Sequence, residues 1–185
     1  MYEGSNTKAI RSQNEIADAL VRLMMQKPYD KIQITDICDE ARISRRTFYN
    51  LFDSKDEALW YRLRLWYRIS YERYSQKEEL TDRDIIDIFM SIVDDNRDFF
   101  VVMTQNKLTG MISDIVKESV SFFYDAYVGE RYLDEYRPYY KAIFSGAFSG
   151  LILEWLTQED PIGRDQFAQL LTDFLNGKFM NFPKA

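Results

Sequence analysis

The sequence predicts an all-α protein: an N-terminal three-helix helix-turn-helix domain joined by a long helix to a larger helical C-terminal domain. Glycine and proline together make up only 11 of 185 residues, about half their share in average chains, so few turn-makers are available to separate many short strands. Apolar residues recur at spacings of three and four along most of the chain, the period of a helix face. Cap-like residues at Thr7, Thr35, Ser44, Ser54 and Thr81 stand where those patterns begin.

From Thr7, the side chains Ile10, Ile16, Ala17, Leu20, Leu23 and Met24 line one face of an amphipathic helix. Lys27-Pro28 ends it, because proline lacks the amide proton and disfavours helical geometry in the residue before it. A short helix is predicted from Ile34 to Ala41. There Thr35 offers an oxygen to the free amides, Asp36 complements the dipole, and Ile37, Cys38 and Ala41 form the inner stripe.

After the spacer Arg42-Ile43, Ser44 caps about two turns running from Arg45 to Phe52. Phe48, Leu51 and Phe52 share one face, leaving Arg45, Arg46, Thr47, Tyr49 and Asn50 outward. Ser54-Lys55-Asp56-Glu57 has capping-box spacing and opens a helix free of Gly and Pro to about Gln76, roughly 34 Å long. Thr81 caps a helix through Val93, and further helical tracts are predicted at 97–105, 110–127, 133–157 and 164–176. The expected organisation is a helix-turn-helix domain at 1–53, a linking helix at 54–76 and a helical domain at 77–185.

Histidine is absent and cysteine occurs once, at Cys38. That excludes a disulfide framework, zinc sites built on Cys or His, and triads with an imidazole base. No cofactor or metal site is expected. The first residues lack a basic-then-apolar leader pattern, and the longest apolar run, Ala142 to Leu153, is broken by Ser and Gly and too short to span a bilayer. A cytoplasmic location is the expectation.

The net charge of −6 hides an asymmetry: residues 1–77 hold 14 Lys/Arg against 11 Asp/Glu (+3), and residues 78–185 hold 10 against 19 (−9). The front is suited to an anionic partner and the back is not. Within the front, the second helix of a helix-turn-helix lies in the major groove of duplex DNA and presents its N-terminal residues to base edges. Those residues are Ser44, Arg45, Arg46 and Thr47. Arginine matches guanine O6 and N7 with two parallel hydrogen bonds, and Thr47 can meet a thymine methyl or a phosphate. Tyr49, Asn50, Thr35 and Lys55 complete the expected DNA-binding set, Tyr49 and Lys55 as phosphate contacts.

On these residues the chain resembles the DNA-binding domain of TetR/AcrR-type transcriptional regulators over positions 9–60. The matching segments are Ile34-Thr35-Asp36-Ile37, Ala41-Arg42-Ile43-Ser44, Thr47 to Phe52 and Ser54 to Ala58. Arg42 stands where the family usually has Gly, Arg46 where a small residue is common, and Leu51 in place of a His. The resemblance implies a homodimer on a near-palindromic operator, with repression by occlusion as the expected output. It also implies a C-terminal domain for dimerisation and for a small-molecule effector, whose binding would tilt the helix that begins at Ser54.

In that C-terminal domain, residues 139–156 are apolar nearly all round, with small residues at 145/149 and 146/150. This stretch is also similar to the C-terminal helix of a Gram-positive branch of the family. Two internal glycines each cost a helix about 1 kcal/mol relative to alanine, an expense that close approach of another helix would offset. The partner helix could belong to the same chain or to a second copy. The expected dimer surface is Phe144, Gly146, Phe148, Gly150, Ile152, Leu153, Phe167, Leu171 and Phe174. An effector cavity could be lined by Phe89, Phe100, Met103, Met111, Phe122 and Phe123, although aromatic and Met side chains at helical spacing are more often core.

Two other functions compete. Asp94, Asp95 and Asp98 have the spacing by which magnesium-dependent isoprenoid enzymes hold a diphosphate, but no second acidic motif accompanies them. A helical module that binds protein rather than DNA is the other, and it would show little salt dependence.

Overall fold

In the computed structural model, residues 6–74, 81–123 and 134–178 are described. Among them the regular structure is nine α-helices and two short 3-10 turns, with no strand. The chain forms two compact units, Met1–Trp66 and Tyr67–Ala185.

The first unit contains α1 (Thr7–Met24), α2 (Ile34–Ala41), α3 (Arg45–Leu51) and the first turns of α4 (Lys55–Tyr74). Its core is the set of stripes that helical periodicity selects: Ile16, Ala17, Leu20, Leu23 and Met24 from α1, Ile37 and Cys38 from α2, Phe48 and Leu51 from α3, and Ala58, Leu59 and Leu63 from α4. Phe52 links these helices, with ring centroids 6.0 Å from Phe48 and 5.5 Å from Tyr61. Ile10 departs from its expected stripe and is exposed in the first turn of α1.

Two caps sit one or two residues earlier than expected. Asn6 rather than Thr7 caps α1, its Oδ1 accepting from the amides of Lys8 and Ala9. Gln33 rather than Thr35 holds the cap position of α2, and Asp36 Oδ2 accepts from the Gln33 amide at 2.8 Å. Thr35 is left exposed in the first turn. A 3-10 turn at Tyr29–Lys31, which no periodicity announces, fills the connection from α1 to α2.

The second unit contains α5 (Asp82–Asp95), α6 (Arg97–Gln105), α7 (Thr109–Phe123), a 3-10 turn at Asp134–Tyr136, α8 (Arg137–Thr157) and α9 (Arg164–Leu175). Thr81 caps α5 as expected, exchanging bonds with Asp84. Helix α8 runs beside α7 and α6, and α5 packs on α9. Their shared core includes Ile86, Phe89, Met90, Phe100, Met103, Ile112, Phe148, Ile152, Trp155, Phe167 and Leu171. Trp155 stacks on Phe167 at 4.8 Å, with the Arg97 guanidinium 4.2 Å from its ring centre.

That core takes in part of the expected dimer surface: Phe148, Ile152, Phe167 and Leu171 are buried within one chain. The reason is that α8 is apolar on more than one face, and its Phe148 face is covered by Phe89 at 6.0 Å and Phe174 at 5.9 Å. Phe144 and Phe174 are half-buried, edge to face at 5.7 Å. Leu153 is half-buried, while Gly146 and Gly150 are exposed.

The acidic run is likewise divided: α5 ends at Asp95, Asn96 lies between the helices, and Asp98 belongs to α6. Asp94 accepts a 2.5 Å bond from Arg164 Nε, and Asp87 lies 3.4 Å from the same guanidinium, tying α5 to α9. Asp94, Asp95 and Asp98 therefore do not share the single helix face that a diphosphate motif needs. Among the described residues, no group of three or more His, Cys, Asp or Glu could hold a metal ion. No helix among them is long and apolar enough to cross a membrane.

Candidate nucleic-acid interface

Helix α3 is short, and its amphipathic division is sharp: Phe48 is fully buried, whereas Arg45, Arg46, Tyr49 and Asn50 are exposed. Ser44 begins it. The Ser44 Oγ accepts from the Thr47 amide at 3.0 Å and lies 2.9 Å from the Thr47 hydroxyl. Thr47 is thus tied back to the cap and presents its methyl more readily than its oxygen. Tyr49 stands edge-on to Phe48 at 5.6 Å, so its ring is braced while its hydroxyl remains outside.

The turn before α3 is a Schellman motif. The Arg42 amide donates to the Asp39 carbonyl at 3.2 Å and the Ile43 amide to the Cys38 carbonyl at 2.9 Å. This pattern requires a left-handed residue, and Arg42 supplies it with φ 55° and ψ 44°. A side chain in that region costs about 1–2 kcal/mol relative to the right-handed one. The turn expected from the resemblance is therefore kept despite the missing glycine.

Most cations of this unit are engaged. Arg22 bonds Glu40 at 2.6 Å, Lys27 bonds Asp36 at 2.6 Å and Arg62 reaches Asp18 at 2.9 Å. The Lys27 bond and the Gln33 amide together hold the Asp36 carboxyl below its ordinary range. Burial pushes the Cys38 thiol up and keeps it protonated inside α2. By contrast, Arg42, Arg45 and Arg46 lie exposed within five residues and make no hydrogen bond or ion pair among the described residues.

Lys55 has partners within the chain. Its Nζ donates to the carbonyls of Tyr29 at 2.7 Å and Ile32 at 2.9 Å, and sits 4.4 Å from the Tyr29 ring centre. Asp56, next in α4, accepts from the Tyr29 hydroxyl. Burial and the Asp56 charge together push the Tyr29 phenol up, so it stays a donor. Lys55 and Asp56 thus clasp the 3-10 turn to the start of α4, leaving Lys55 few protons for a phosphate. The Tyr29 carbonyl also accepts from the Ile32 amide at 3.1 Å, so Lys55 shares it with the turn, and no local sequence pattern signals the clasp. Lys55→Ala is expected to lower the stability of the first unit by about 1–3 kcal/mol, since it removes charged hydrogen bonds to two carbonyls. Chemical denaturation followed by tryptophan fluorescence checks this; unchanged stability with weakened duplex binding would return Lys55 to the phosphate.

Of the side chains expected around an effector, Phe89, Phe100 and Met103 are buried in the core of the second unit and Met111 is half-buried. The side chains of Phe122 and Phe123 lie outside the described residues.

Residues 16–59 match the family model for bacterial regulatory proteins, tetR family, and residues 81–177 match the model for a transcriptional regulator C-terminal region. The chain is 28% identical over 137 residues to the HTH-type dhaKLM operon transcriptional activator DhaS of Lactococcus lactis subsp. lactis (strain IL1403). The match covers 74% of this chain and 51% of that protein, so the chain spans about half the length of this relative. The fold is similar to that of Lin0861 from Listeria innocua, with TM-score 0.73, 17% identity and 96% of each chain covered. It is also similar to a TetR transcriptional regulator from Streptococcus agalactiae 2603V, with TM-score 0.59, 17% identity, and 91% of this chain and 95% of that one covered. Because one model spans the helix-turn-helix unit and the other more than half of the chain, this protein belongs to the TetR family of bacterial transcriptional regulators.

Proposed function

We propose that the protein regulates transcription as a homodimer on a near-palindromic operator, with one α3 in the major groove of each half-site. The two helices would then stand about 34–36 Å apart, or a multiple of that distance. The observation that carries this reading is the pair Arg45 and Arg46, exposed and unpaired at the start of a helix whose opposite face is buried. An unpaired guanidinium is free to form two bonds to guanine, and nothing within the chain has to be broken first.

A second copy is supported by one face of α8. Tyr139, Ile143, Gly146, Gly150, Leu153 and Thr157 recur at alternating spacings of four and three, the seam of two packed helices. Tyr139 is 69% and Ile143 57% exposed in the single chain, a large apolar exposure for one helix face. A Cβ added at Gly146 or Gly150 would meet nothing within 4 Å. Among the described residues no helix of the same chain needs those glycines, and a helix of a second copy would.

Repression by occlusion needs only that the bound dimer cover a promoter. Activation is the second reading, favoured by the name of the Lactococcus relative. Family membership supports control by a small molecule in the second unit, and such control would act only through a difference in affinity between two states. Selection of bound duplexes from a random pool, with light scattering on the free protein, tests the core of this reading. Enrichment of an inverted repeat by a dimer is the expected result; a monomer, or no enrichment at low salt, overturns it. A reporter carrying the enriched site over its promoter then gives the sign of regulation.

A further inference from the structure

Arg42 is the strained residue of the turn between α2 and α3, and neither the fold nor helix α2 requires an arginine there. The Schellman bonds need the left-handed conformation, which glycine adopts without steric cost and arginine does not. A cation at the end of α2 would favour its dipole, but a basic residue in the last turn, at ordinary helical geometry, would do the same without strain. That turn has none. Lys107 closes the turn after α6 in the same way, with φ 60°, so the left-handed angle alone does not single out Arg42; its place directly before α3 does.

Arg42 makes no bond or ion pair among the described residues, in contrast to Arg22, Lys27 and Arg62 of the same unit. Its Cα is joined to that of Arg45 by three peptide units, so the two are within about 11 Å of each other. With α3 in a groove, a cation this close to its first residue stands beside the sugar-phosphate chain that borders the groove.

We propose that Arg42 is a phosphate contact, a third guanidinium that sets the register of α3 while Arg45 and Arg46 read bases. This rests on the DNA-binding reading above, and the experiment separates the two. Binding of a random-sequence duplex is followed by fluorescence anisotropy across a series of potassium chloride concentrations for wild type, Arg42→Gly, Arg42→Asn and Arg42→Lys. Glycine and asparagine both accept the left-handed conformation, so the fold is retained. The Arg42→Gly variant is expected to melt about 2–4 °C higher as strain is relieved.

The same variant, and Arg42→Asn with it, is expected to bind about tenfold more weakly at low salt, with the slope of log affinity against log salt reduced by about two, one for the Arg42 of each protomer in the dimer. Arg42→Lys keeps the charge and is expected to keep the slope. Wild-type affinity and slope in both neutral variants would overturn this inference while the DNA-binding reading stands. Failure of the wild type itself to bind any duplex at low salt would overturn both.

Discussion

Replacing Arg45 and Arg46 together by alanine is expected to leave the melting temperature unchanged and to abolish selective operator binding. Both side chains are exposed and unpaired in the free protein, and surface changes away from structural contacts usually stay within about 0.5 kcal/mol. In the proposed complex the same side chains face base edges, where each bidentate pair discriminates by about 1–3 kcal/mol. Loss of both then weakens binding by roughly 30-fold to 10⁴-fold for each half-site. The loss on a random duplex is smaller, because only a phosphate-directed charge effect remains. Parallel titrations of the two duplexes make the measurement. Equal losses on both would show that the arginines supply charge and no base reading, which would remove the recognition role from the start of α3.

Gly150→Leu is expected to give a well-folded monomer with greatly weakened operator binding. Within the chain nothing lies within 4 Å of the added Cβ, and leucine is a better helix former than glycine by about 0.8–1 kcal/mol. The second unit should therefore melt no lower than wild type. At a close seam between two copies of α8, however, the new side chain holds the helices apart along the whole stripe from Tyr139 to Thr157. Once the two α3 helices are no longer linked, the gain from local concentration, about 10²- to 10⁴-fold, disappears. Light scattering and operator titration read the two effects separately. A variant that remains dimeric with wild-type operator affinity would place the dimer surface elsewhere.

The arginines at the start of α3 were legible because everything that exposes them is local. Ser44, the alternation of Phe48 and Leu51 against Tyr49 and Asn50, and the short spacer before them lie within eight residues. Two of the caps were legible only to within one or two positions, although Ser44 and Thr81 hold theirs. Asn6 displaces Thr7, and Gln33 displaces Thr35, because the choice among neighbouring polar residues depends on where the preceding chain enters the helix.

Lys55 shows what its neighbours in sequence do not reveal. At the head of a helix a lysine looks ready for phosphate, yet its partners are the carbonyls of Tyr29 and Ile32, more than twenty residues away. The apolar faces of α8 pose the same question. An apolar helix announces that it is covered but does not name the cover, and α8 satisfies its Phe148 face inside the chain while leaving the glycine face open.

What the sequence alone determined is the inventory of helices, the face each one buries in the first unit, and the segment with cationic tips to offer a duplex. These depend on periodicity and on bonds spanning three or four residues, so neighbours in sequence suffice. Only the tertiary structure decided which cations are already spent, which face of α8 is still free, and that Arg42 holds a left-handed turn. Each of those is settled by groups far apart in the chain, or by a backbone angle that arginine adopts only when the surrounding hydrogen bonds demand it.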